Sequence, residues 1–407
     1  MKVLDYSEIE GSSGTYVGWL ALLGVFLALG GGAALTMEHY GHAITGMNNQ
    51  IVWGLPHVFA VFLIVAASGA LNVASIASVF GKSFYKPLAP LSGLLALALL
   101  MGGLAVLVLD LGRPDRLIVA MTYYNFKSIF AWNILLYTGF MALVYVYLWM
   151  MMERRFNVHT KKAGIAAFSW RLILTTGTGS IFGFLVARSA YDTAVMAPMF
   201  IIMSLAFGTA IYLITVVAAY RWTGRELGFS VIARLRGLLS TFVAAVFLIV
   251  TIYHLTNLYI TQHHNVERFI LLEGGIYTAL FWIGQIGIGG VIPLWLCWAK
   301  RWQTSTQAAV VASLFVVVGG LAQMYVIIIG GQALPLDMFP GFAVSSSFYD
   351  GQIAQYTPSV YELFLGVGGV ALAGLVVSVG VKILRFLPVS LADSVIDPHV
   401  KNPTGKK

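Results

Sequence analysis

The sequence predicts an all-α integral membrane protein that crosses the bilayer about ten times, and three observations support this fold class. Of its 407 residues, 59% are hydrophobic and only 10% are charged, against about 25% charged residues in a soluble domain. The mean hydropathy of the chain is +0.86, so most of its apolar surface needs the bilayer as solvent. Apolar runs of about 20 residues, long enough to span a membrane, recur along the whole sequence.

Ten apolar runs give the chain its predicted organisation as a single polytopic membrane domain, residues 1–407. The first run is an extra span at 16–37, residues 52–331 hold a core of eight spans, 359–385 is the last span, and 386–407 form a tail. We place the spans at 16–37, 52–80, 88–110, 127–152, 166–190, 196–220, 238–262, 272–299, 305–331 and 359–385.

The positive charges predict how the chain is oriented. When the spans alternate across the bilayer, 19 of the 24 Lys and Arg residues fall on the side of the N-terminus. Cytoplasmic connections carry such an excess, so we expect a multi-pass protein of the inner membrane with both termini in the cytoplasm. The net charge of +8 does not predict a nucleic-acid partner, because the cations lie between apolar runs rather than on one face.

Ionisable residues gather at the non-cytoplasmic ends of the predicted spans. Such side chains are costly in a membrane and usually face a cavity or a partner. Deeper positions and the cytoplasmic half hold mostly neutral polar groups, such as Asn72. The gathered residues are Glu38, His39, His42, His57, Asp110, Arg188, Asp192, His254, Glu273 and Glu362.

The most distinctive local string runs from Asp110 to Arg116 at the end of the third span. Gly112 and Pro114 predict a turn there, and Arg113 and Arg116 are cations on the side that has few. One interpretation is a structural Asp–Arg clamp that ties the loop down. The other is a charged rim for a polar ligand or a partner protein. The connections at 38–51 and 331–358 also have two interpretations. They are either solvated loops or a docking surface for an extracytoplasmic partner.

His57 and His254 each lie near the non-cytoplasmic end of a span. A histidine in that position is either a hydrogen-bonded packing residue or a group that exchanges protons with a quinone, because imidazole titrates near neutral pH. His263 and His264 are interpreted as part of a solvated loop.

Metal, haem and iron–sulfur centres are not predicted within this chain. Cys297 is the single cysteine, which excludes an intrachain disulfide and a cluster held by several cysteines. His39 and His42 lie three residues apart, a spacing that suits a metal, but no second pair lies at a comparable depth.

The string Asp110-Leu-Gly-Arg-Pro-Asp-Arg116 resembles the hallmark of the NrfD/polysulfide reductase membrane subunit (PsrC-like) family. The helix start at 128–133 and the segment from 183 to 204 resemble two further patterns of that family. Asn133 stands where Gly is common, and Ser189 and Tyr191 stand where Pro and Trp are common. The similarity covers about residues 35–385. The extended start at 37–57 most resembles the ten-span branch that includes the DsrP subunit of the sulfite-reduction-associated Dsr complex.

The resemblance implies a fold and a function. The fold is an NrfD-like core of two four-helix bundles plus two extra helices. The function is that of a membrane anchor that does no catalysis alone and exchanges electrons between the quinone pool and an extracytoplasmic, ferredoxin-like iron–sulfur subunit. Cytochrome c and other membrane subunits are expected partners, in dissimilatory sulfur metabolism. Menaquinone or ubiquinone would be an exchangeable substrate.

The expected site follows from the resemblance and from the ionisable residues together. His57 and Asp110 are predicted to be catalytic, with their protons exchanged on the outer side. The residues predicted to bind quinone are His57, Arg188, Tyr191, Asp192 and His254. Those predicted to serve structure or partner docking are Arg113, Asp115, Arg116, Glu38, His39, His42 and Glu273.

Two other functions are open at this stage. A secondary transporter needs broken helices in the middle of the membrane, and Gly177–Ser180 is a possible break, although no matching interruption occurs in the other half. A b-type cytochrome anchor needs axial ligands that face each other across helices, for which only His57 and His254 are plausible.

Overall fold

The computed structural model describes residues 5–336 and 351–396, and within them the chain is almost entirely helical. This confirms the predicted all-α membrane fold. The ten long helices, α1 to α10, are Gly14–Tyr40, Leu55–Ser78, Ser83–Leu109, Ile129–Met152, Thr160–Gly183, Met196–Trp222, Phe229–Tyr259, Ile276–Trp298, Thr306–Ala333 and Val360–Ile383. Two short strands pair antiparallel, β1 at Tyr6–Ser7 and β2 at Leu387–Pro388. Short helices lie at His42–Ile44, Pro114–Arg116, Leu117–Thr122, Asn157–His159, Thr261–His263, His264–Arg268, Lys300–Trp302 and Asp393–Ile396.

Serine residues begin several of these helices. Each of Ser13, Ser128, Ser305 and Ser359 accepts a hydrogen bond from a main-chain amide in the first turn of the helix that follows. At α10 the Glu362 side chain also bonds back to the amide of Ser359, which completes a capping box. These bonds satisfy amides that have no partner within the helix, so the local sequence fixes where these spans start.

The number of membrane crossings depends on α5. Nine of the described helices are long and apolar enough to span a bilayer. Helix α5 is the exception, since it contains Arg171 in its middle and a run of Thr, Gly and Ser at 175–180. The pairing of β1 with β2 brings the chain before α1 and the chain after α10 to the same face of the molecule. Only an even number of crossings allows this, so α5 is the tenth.

Two predicted spans differ from the helices that form. The fifth was expected at 166–190, whereas α5 begins at Thr160 and ends at Gly183. The chain turns back tightly after Gly183, and a side chain at this glycine would collide with the Thr193 carbonyl. The seventh, expected at 238–262, begins at Phe229. The possible break at Gly177–Ser180 lies inside a continuous α5, so this element does not support the transporter interpretation.

The ten helices form two four-helix bundles and a peripheral pair. Helices α2 to α5 close the first bundle, and α6 to α9 close the second. Helices α2 and α5 pack against α6 where the bundles meet. Helix α10 packs on α2 and α3, and α1 packs on the outside of α10. The most apolar window of α2 is 89% buried, against 28% for that of α1. Helix α2 is therefore the central helix, and α1 faces the lipid.

Glycine pairs bring helices together at two of these contacts. At the crossing of α2 and α6, a Cβ on Gly208 would overlap the main chain of Gly69. At the crossing of α1 and α10, a Cβ on Gly30 would lie 2.8 Å from the Cα of Gly368. Small residues permit such close backbone contact, which is a main source of helix association in membranes.

A buried arginine lies inside the first bundle. Arg171 is 2% exposed, and its guanidinium donates to the Ser68 carbonyl at 3.1 Å and to Asn72 Oδ1 at 3.2 Å. This arginine is an exception to the prediction that deep positions of the spans hold mostly neutral polar groups. Arg171 is one of the 19 cations that the alternation of spans puts on the side of the N-terminus, but it is a buried internal residue of α5.

The chain ends are fastened together at one face. Arg225, in the turn between α6 and α7, donates to the carbonyls of Ser7, Glu8 and Leu387. The predicted tail at 386–407 contributes β2 and the helix Asp393–Ile396, and its residues 397–407 lie outside the described residues. We call the opposite face, where α1 and α3 end, the far face. Of the predicted loop 331–358, residues 331–336 and 351–358 lie at the far face, and residues 337–350 are outside the described residues.

Candidate functional site

Three predicted residues meet at the far face in what we call the His–Asp–His cluster, His42, His57 and Asp110. His57 lies in the first turn of α2, where Pro56 fits because that turn needs no main-chain donor. Asp110 directly follows the last residue of α3. His42 comes from the short helix after α1. Three consecutive spans thus contribute one side chain each.

Asp110 lies between the two imidazole rings. Its Oδ2 atom is 2.7 Å from His57 Nδ1, and its Oδ1 atom is 3.6 Å from His42 Nε2. Asp110 is only 5% exposed, yet neither of its carboxylate oxygens nor His57 Nδ1 has a well-aligned hydrogen bond. His57 Nδ1 is thus in close contact with the carboxylate but does not form an aligned hydrogen bond with it. Buried polar atoms without aligned partners are costly, and they are typical of a site that moves protons or binds a ligand.

The turn after Asp110 makes room for His42. Gly112 has a φ of +71°, a conformation that glycine adopts readily and other residues rarely do. A Cβ there would lie 2.9 Å from His42 Cε1. The carbonyl of Asp110 lies 3.1 Å from His42 Nε2. The Asp-Leu-Gly string therefore does two things, since it supplies the carboxylate and leaves space for the second imidazole.

An aromatic wall lies beside the cluster. The indole of Trp53 stacks on the His57 ring, with centroids 6.1 Å apart. It also contacts the rings of Phe130, Phe182 and Tyr191. Phe130 is 46% exposed, so this wall reaches the surface. Flat apolar rings around a few polar atoms are the usual lining of a site for an aromatic ligand.

The predicted residues of the segment after α5 form its internal ties. Arg188 donates to the carbonyl of Gln332 at 2.9 Å and to that of Gln50 at 2.8 Å. Tyr191 is fully buried and donates its hydroxyl to the Ile328 carbonyl at 2.5 Å. Asp192 is half-buried, and its amide donates to the Arg188 carbonyl. Arg188 therefore binds main-chain carbonyls rather than Asp110.

His254 belongs to a different group, the His254 cluster of His254, Asn257, His263 and Glu267. His254 Nδ1 lies 2.7 Å from Glu267 Oε2, and Asn257 donates to the other carboxylate oxygen at 2.9 Å. His263 lies 3.1 Å from Asn257 Oδ1 and is 5% exposed. The interpretation of His263 as a solvated loop residue is therefore wrong, whereas His264 is exposed as expected.

The two clusters lie in separate bundles and each histidine faces its own acid. His57 faces Asp110 in the first bundle, and His254 faces Glu267 in the second. The Nδ1 atom of each ring thus has a carboxylate of its own bundle as its neighbour.

Two adjoining cavities lie within the second bundle. They share Val250, Gln285 and Gln323, and His254 lines the larger one. Wide π-helical turns at Leu280–Val291 and Val326–Gly330 lie beside them. Neither of these two cavities includes His57 or Asp110.

The remaining predicted residues form an exposed rim. Arg113 pairs with Asp115 at 3.1 Å, and Glu273 pairs with Arg268 at 2.7 Å. Arg113 thus ties its own loop down and does not contact Asp110. Arg116, Glu38 and His39 are also exposed.

Several buried polar residues escaped the sequence analysis. Glu267 lies outside the apolar runs and is not among the predicted site residues. His254 and Asn257 lie three residues apart on one helix face, and this pair is the local signal for a polar group such as Glu267 beside them. The Gln332 side chain accepts hydrogen bonds from the amides of Val52 and Trp53. The bonded residues are 279 or more positions apart, so no local sequence pattern predicts this contact. Among the described residues, no group of His, Cys, Asp and Glu is arranged to hold a metal ion.

Comparison with known families gives a match over most of the chain. The family described as "Polysulphide reductase, NrfD" matches residues 43–335. The matched region begins next to His42 and runs to the end of α9, so it includes His57, Asp110 and the His254 cluster.

Individual relatives are similar at lower identity. The "Hdr-like menaquinol oxidoreductase integral membrane subunit" of Archaeoglobus fulgidus is 28% identical, over 97% of this chain and 99% of its own length. A selenate reductase subunit of Mesobacillus selenatarsenatis is 24% identical, over 84% and 88%. "Protein NrfD" of Escherichia coli is 24% identical, over 70% and 96%. The first of these extends over nearly all of both chains, including α1 and α10.

Proposed function

Because the chain belongs to the NrfD family of polysulphide reductase membrane subunits, we propose that it is the quinone-reactive membrane subunit of a respiratory oxidoreductase complex. The observation that carries the proposal is the buried Asp110 carboxylate, held 2.7 Å from His57 at the membrane boundary beside an aromatic wall. A full-length relative named as a menaquinol oxidoreductase subunit supports the same substrate class.

In this proposal the two predicted catalytic residues handle protons. His57 Nδ1 faces Asp110, which leaves Nε2 on the other edge of the ring to exchange a proton with a quinol hydroxyl or a quinone carbonyl. The carboxylate then stabilises the imidazolium that forms. Trp53 and Phe130 offer flat surfaces for the quinone ring. Arg188, Tyr191 and Asp192 fix the backbone behind that wall, and His254 serves a second polar position in the other bundle.

The electrons require a partner, since this chain offers side chains that move protons only. We propose a ferredoxin-like iron–sulfur subunit docked at the far face, with cytochrome c and other membrane subunits in the same complex. The exposed rim of Glu38, His39, Arg113, Arg116 and Glu273 is the docking surface. Sulfur metabolism of the DsrP type, the single-domain organisation with its core at 52–331, and an inner-membrane location with cytoplasmic termini belong to the same proposal.

The test is quinol turnover in the assembled complex, with His57→Ala compared with wild type. We expect loss of about 10²-fold or more in kcat, the usual effect of removing a positioned proton-transfer group, while the complex still co-purifies with its iron–sulfur partner. Menaquinol and ubiquinol analogues with an artificial electron acceptor give the rates.

His264→Ala is the matched control, because His264 is an exposed histidine at the same face and outside the proposed site. It should turn over like wild type. Turnover in His57→Ala equal to that of wild type would contradict the assignment. Solute uptake into liposomes by the purified chain would support a transporter instead.

A further inference from the structure

His42 links the buried carboxylate to the surface. Its side chain is 32% exposed, against 16% for His57 and 1% for Asp110. The carboxylate in the middle is therefore the least exposed of the three side chains, and His42 is the most exposed. A proton that reached Asp110 from His57 would have one ionisable neighbour on the other side, and that neighbour is His42.

The contacts of His42 favour proton transfer over a simple clamp. Its Nε2 atom lies 3.1 Å from the Asp110 carbonyl and 3.6 Å from the Asp110 carboxylate. A ring movement of a few tenths of an ångström brings the second distance into hydrogen-bond range. Gly112 leaves the open space beside the ring that such a movement needs, because any larger residue would contact Cε1 and Nδ1.

We propose that His42 is the exit of a proton relay that runs from His57 through the Asp110 carboxylate to water at the far face. This inference rests on the proposed function, which supplies the proton at His57. It makes His42 a positioned proton carrier and not only a docking residue of the rim.

The relay balances at every step. His57, protonated at both nitrogens, gives its Nδ1 proton to Asp110, so an N–H bond breaks and an O–H bond forms. Asp110 gives that proton to the unprotonated Nε2 of neutral His42, and the resulting imidazolium releases its Nδ1 proton to water. One proton has then moved outward and Asp110 is again a carboxylate. Each neutral ring now carries its hydrogen on the other nitrogen, and rotation of the ring or proton exchange with water restores the starting tautomer. The direction reverses if the complex reduces quinone.

The charges around His42 suit this role. The hydrogen bond with the Asp110 side chain raises the pKa of His42 above its usual value of 6.5, against the opposing effect of partial burial. The Glu362 carboxylate, at the start of α10, acts in the same direction from a greater distance. Arg113, next to Gly112, is turned to Asp115. The two carboxylates therefore both favour the protonated form of His42.

The experiment compares His42→Gln with His264→Gln in the assembled complex. Glutamine keeps a donor for the Asp110 carbonyl but cannot be protonated. His264 is the matched control, since its Nε2 also lies within hydrogen-bond distance, 2.9 Å, of a main-chain carbonyl, that of Leu258. We expect kcat for quinol oxidation to fall about 10²-fold in His42→Gln, with its pH profile changed, and to stay at the wild-type value in His264→Gln.

Imidazole rescue separates a relay from a structural role. In His42→Ala, added imidazole should restore turnover in proportion to its concentration, because it can occupy the vacated space and carry the proton. The infrared band of the Asp110 carboxyl group, identified by its loss in Asp110→Asn, should also titrate differently in His42→Gln, a readout that needs no turnover.

Three outcomes would overturn the relay. Wild-type turnover with an unchanged pH profile in His42→Gln would contradict it while leaving the proposed function standing. A slower His42→Ala that imidazole does not rescue would assign His42 a structural role. A wild-type complex that shows no quinol oxidation or quinone reduction would refute the proposed function, and the relay with it.

Discussion

At the scale of single residues, the properties of the site depend on one carboxylate and its neighbours. Asp110 is buried and has an imidazole on each side, whereas Asp115, five residues later, is exposed and paired with Arg113. Two acids of one motif thus differ in role because one caps a buried helix end and the other lies in an exposed turn. Gly112, which lies between them, leaves the space that the His42 ring occupies.

The pH dependence of stability tests the contact between His42 and Asp110. The folded state raises the pKa of His42 above 6.5, so the protonated ring stabilises the fold fully below pH 6.5, and this contribution is lost as the pH rises through the folded-state pKa. A partly exposed pair contributes about 0.2–1 kcal/mol. Thermal unfolding in detergent across this pH range should show the loss in wild type and not in His42→Gln. Parallel curves for the two proteins would contradict the expectation.

At the scale of helices, backbone contact at glycine holds the centre of the molecule together. Helix α2 is the most buried helix, and its crossing with α6 leaves no space for a side chain at Gly69 or Gly208. Both bundles are joined there. A substitution at this crossing must move two backbones, whereas one at a lipid-facing glycine moves nothing.

Gly208→Ala should therefore destabilise the protein, because its Cβ would overlap the amide nitrogen of Ala70. We expect a loss at or above the usual overpacking cost of about 1–3 kcal/mol, measured as a lower unfolding temperature and a lower yield of monodisperse protein. Gly237→Ala is the control, since no atom lies within 4 Å of its Cβ position. There alanine should be neutral or should stabilise α7 by about 0.5–1 kcal/mol. Equal stability of the two variants would argue against close contact at the α2–α6 crossing.

At the scale of the whole molecule, the pairing of the chain ends closes the fold. The strands β1 and β2 and the Arg225 side chain connect residues before α1, after α10 and between α6 and α7. The peripheral pair of helices is therefore attached to the second bundle at one face, while its inner helix, α10, packs on α2 and α3 of the first bundle.

Arg225→Ala should release this connection without unfolding the helices. Hydrogen bonds to a charged group contribute about 1.5–3 kcal/mol each when well formed, so amide exchange in residues 5–9 and 387–391 should become at least about tenfold faster. Hydrogen–deuterium exchange by mass spectrometry measures this, with the ten helices as internal reference. Arg221→Ala, at an exposed arginine one turn away, should leave the rate unchanged. Faster exchange throughout α1 and α10 would indicate that Arg225 stabilises these two helices as well as the strands β1 and β2.

The sequence by itself determined the class of fold and the order of its spans, and it predicted the face at which the ionisable residues gather. The length and hydropathy of an apolar run are local properties of the sequence, and the alternation of cations follows from the order of the runs. The run that forms α5 was therefore predicted as a span although this helix contains charged residues. The motif around Asp110 was also sufficient to identify the family that residues 43–335 match.

Only the tertiary structure decided which residues meet. It paired His57 with Asp110, placed His42 on the other side of the same carboxylate, and assigned His254 to Glu267 in the second bundle. It also buried Arg171 against Asn72 and tied Arg188 to carbonyls far along the chain. The physical reason is that the apolarity of a span can be read from its own residues. A polar contact between spans instead depends on how the helices rotate and cross, and this is set by packing between segments distant in sequence.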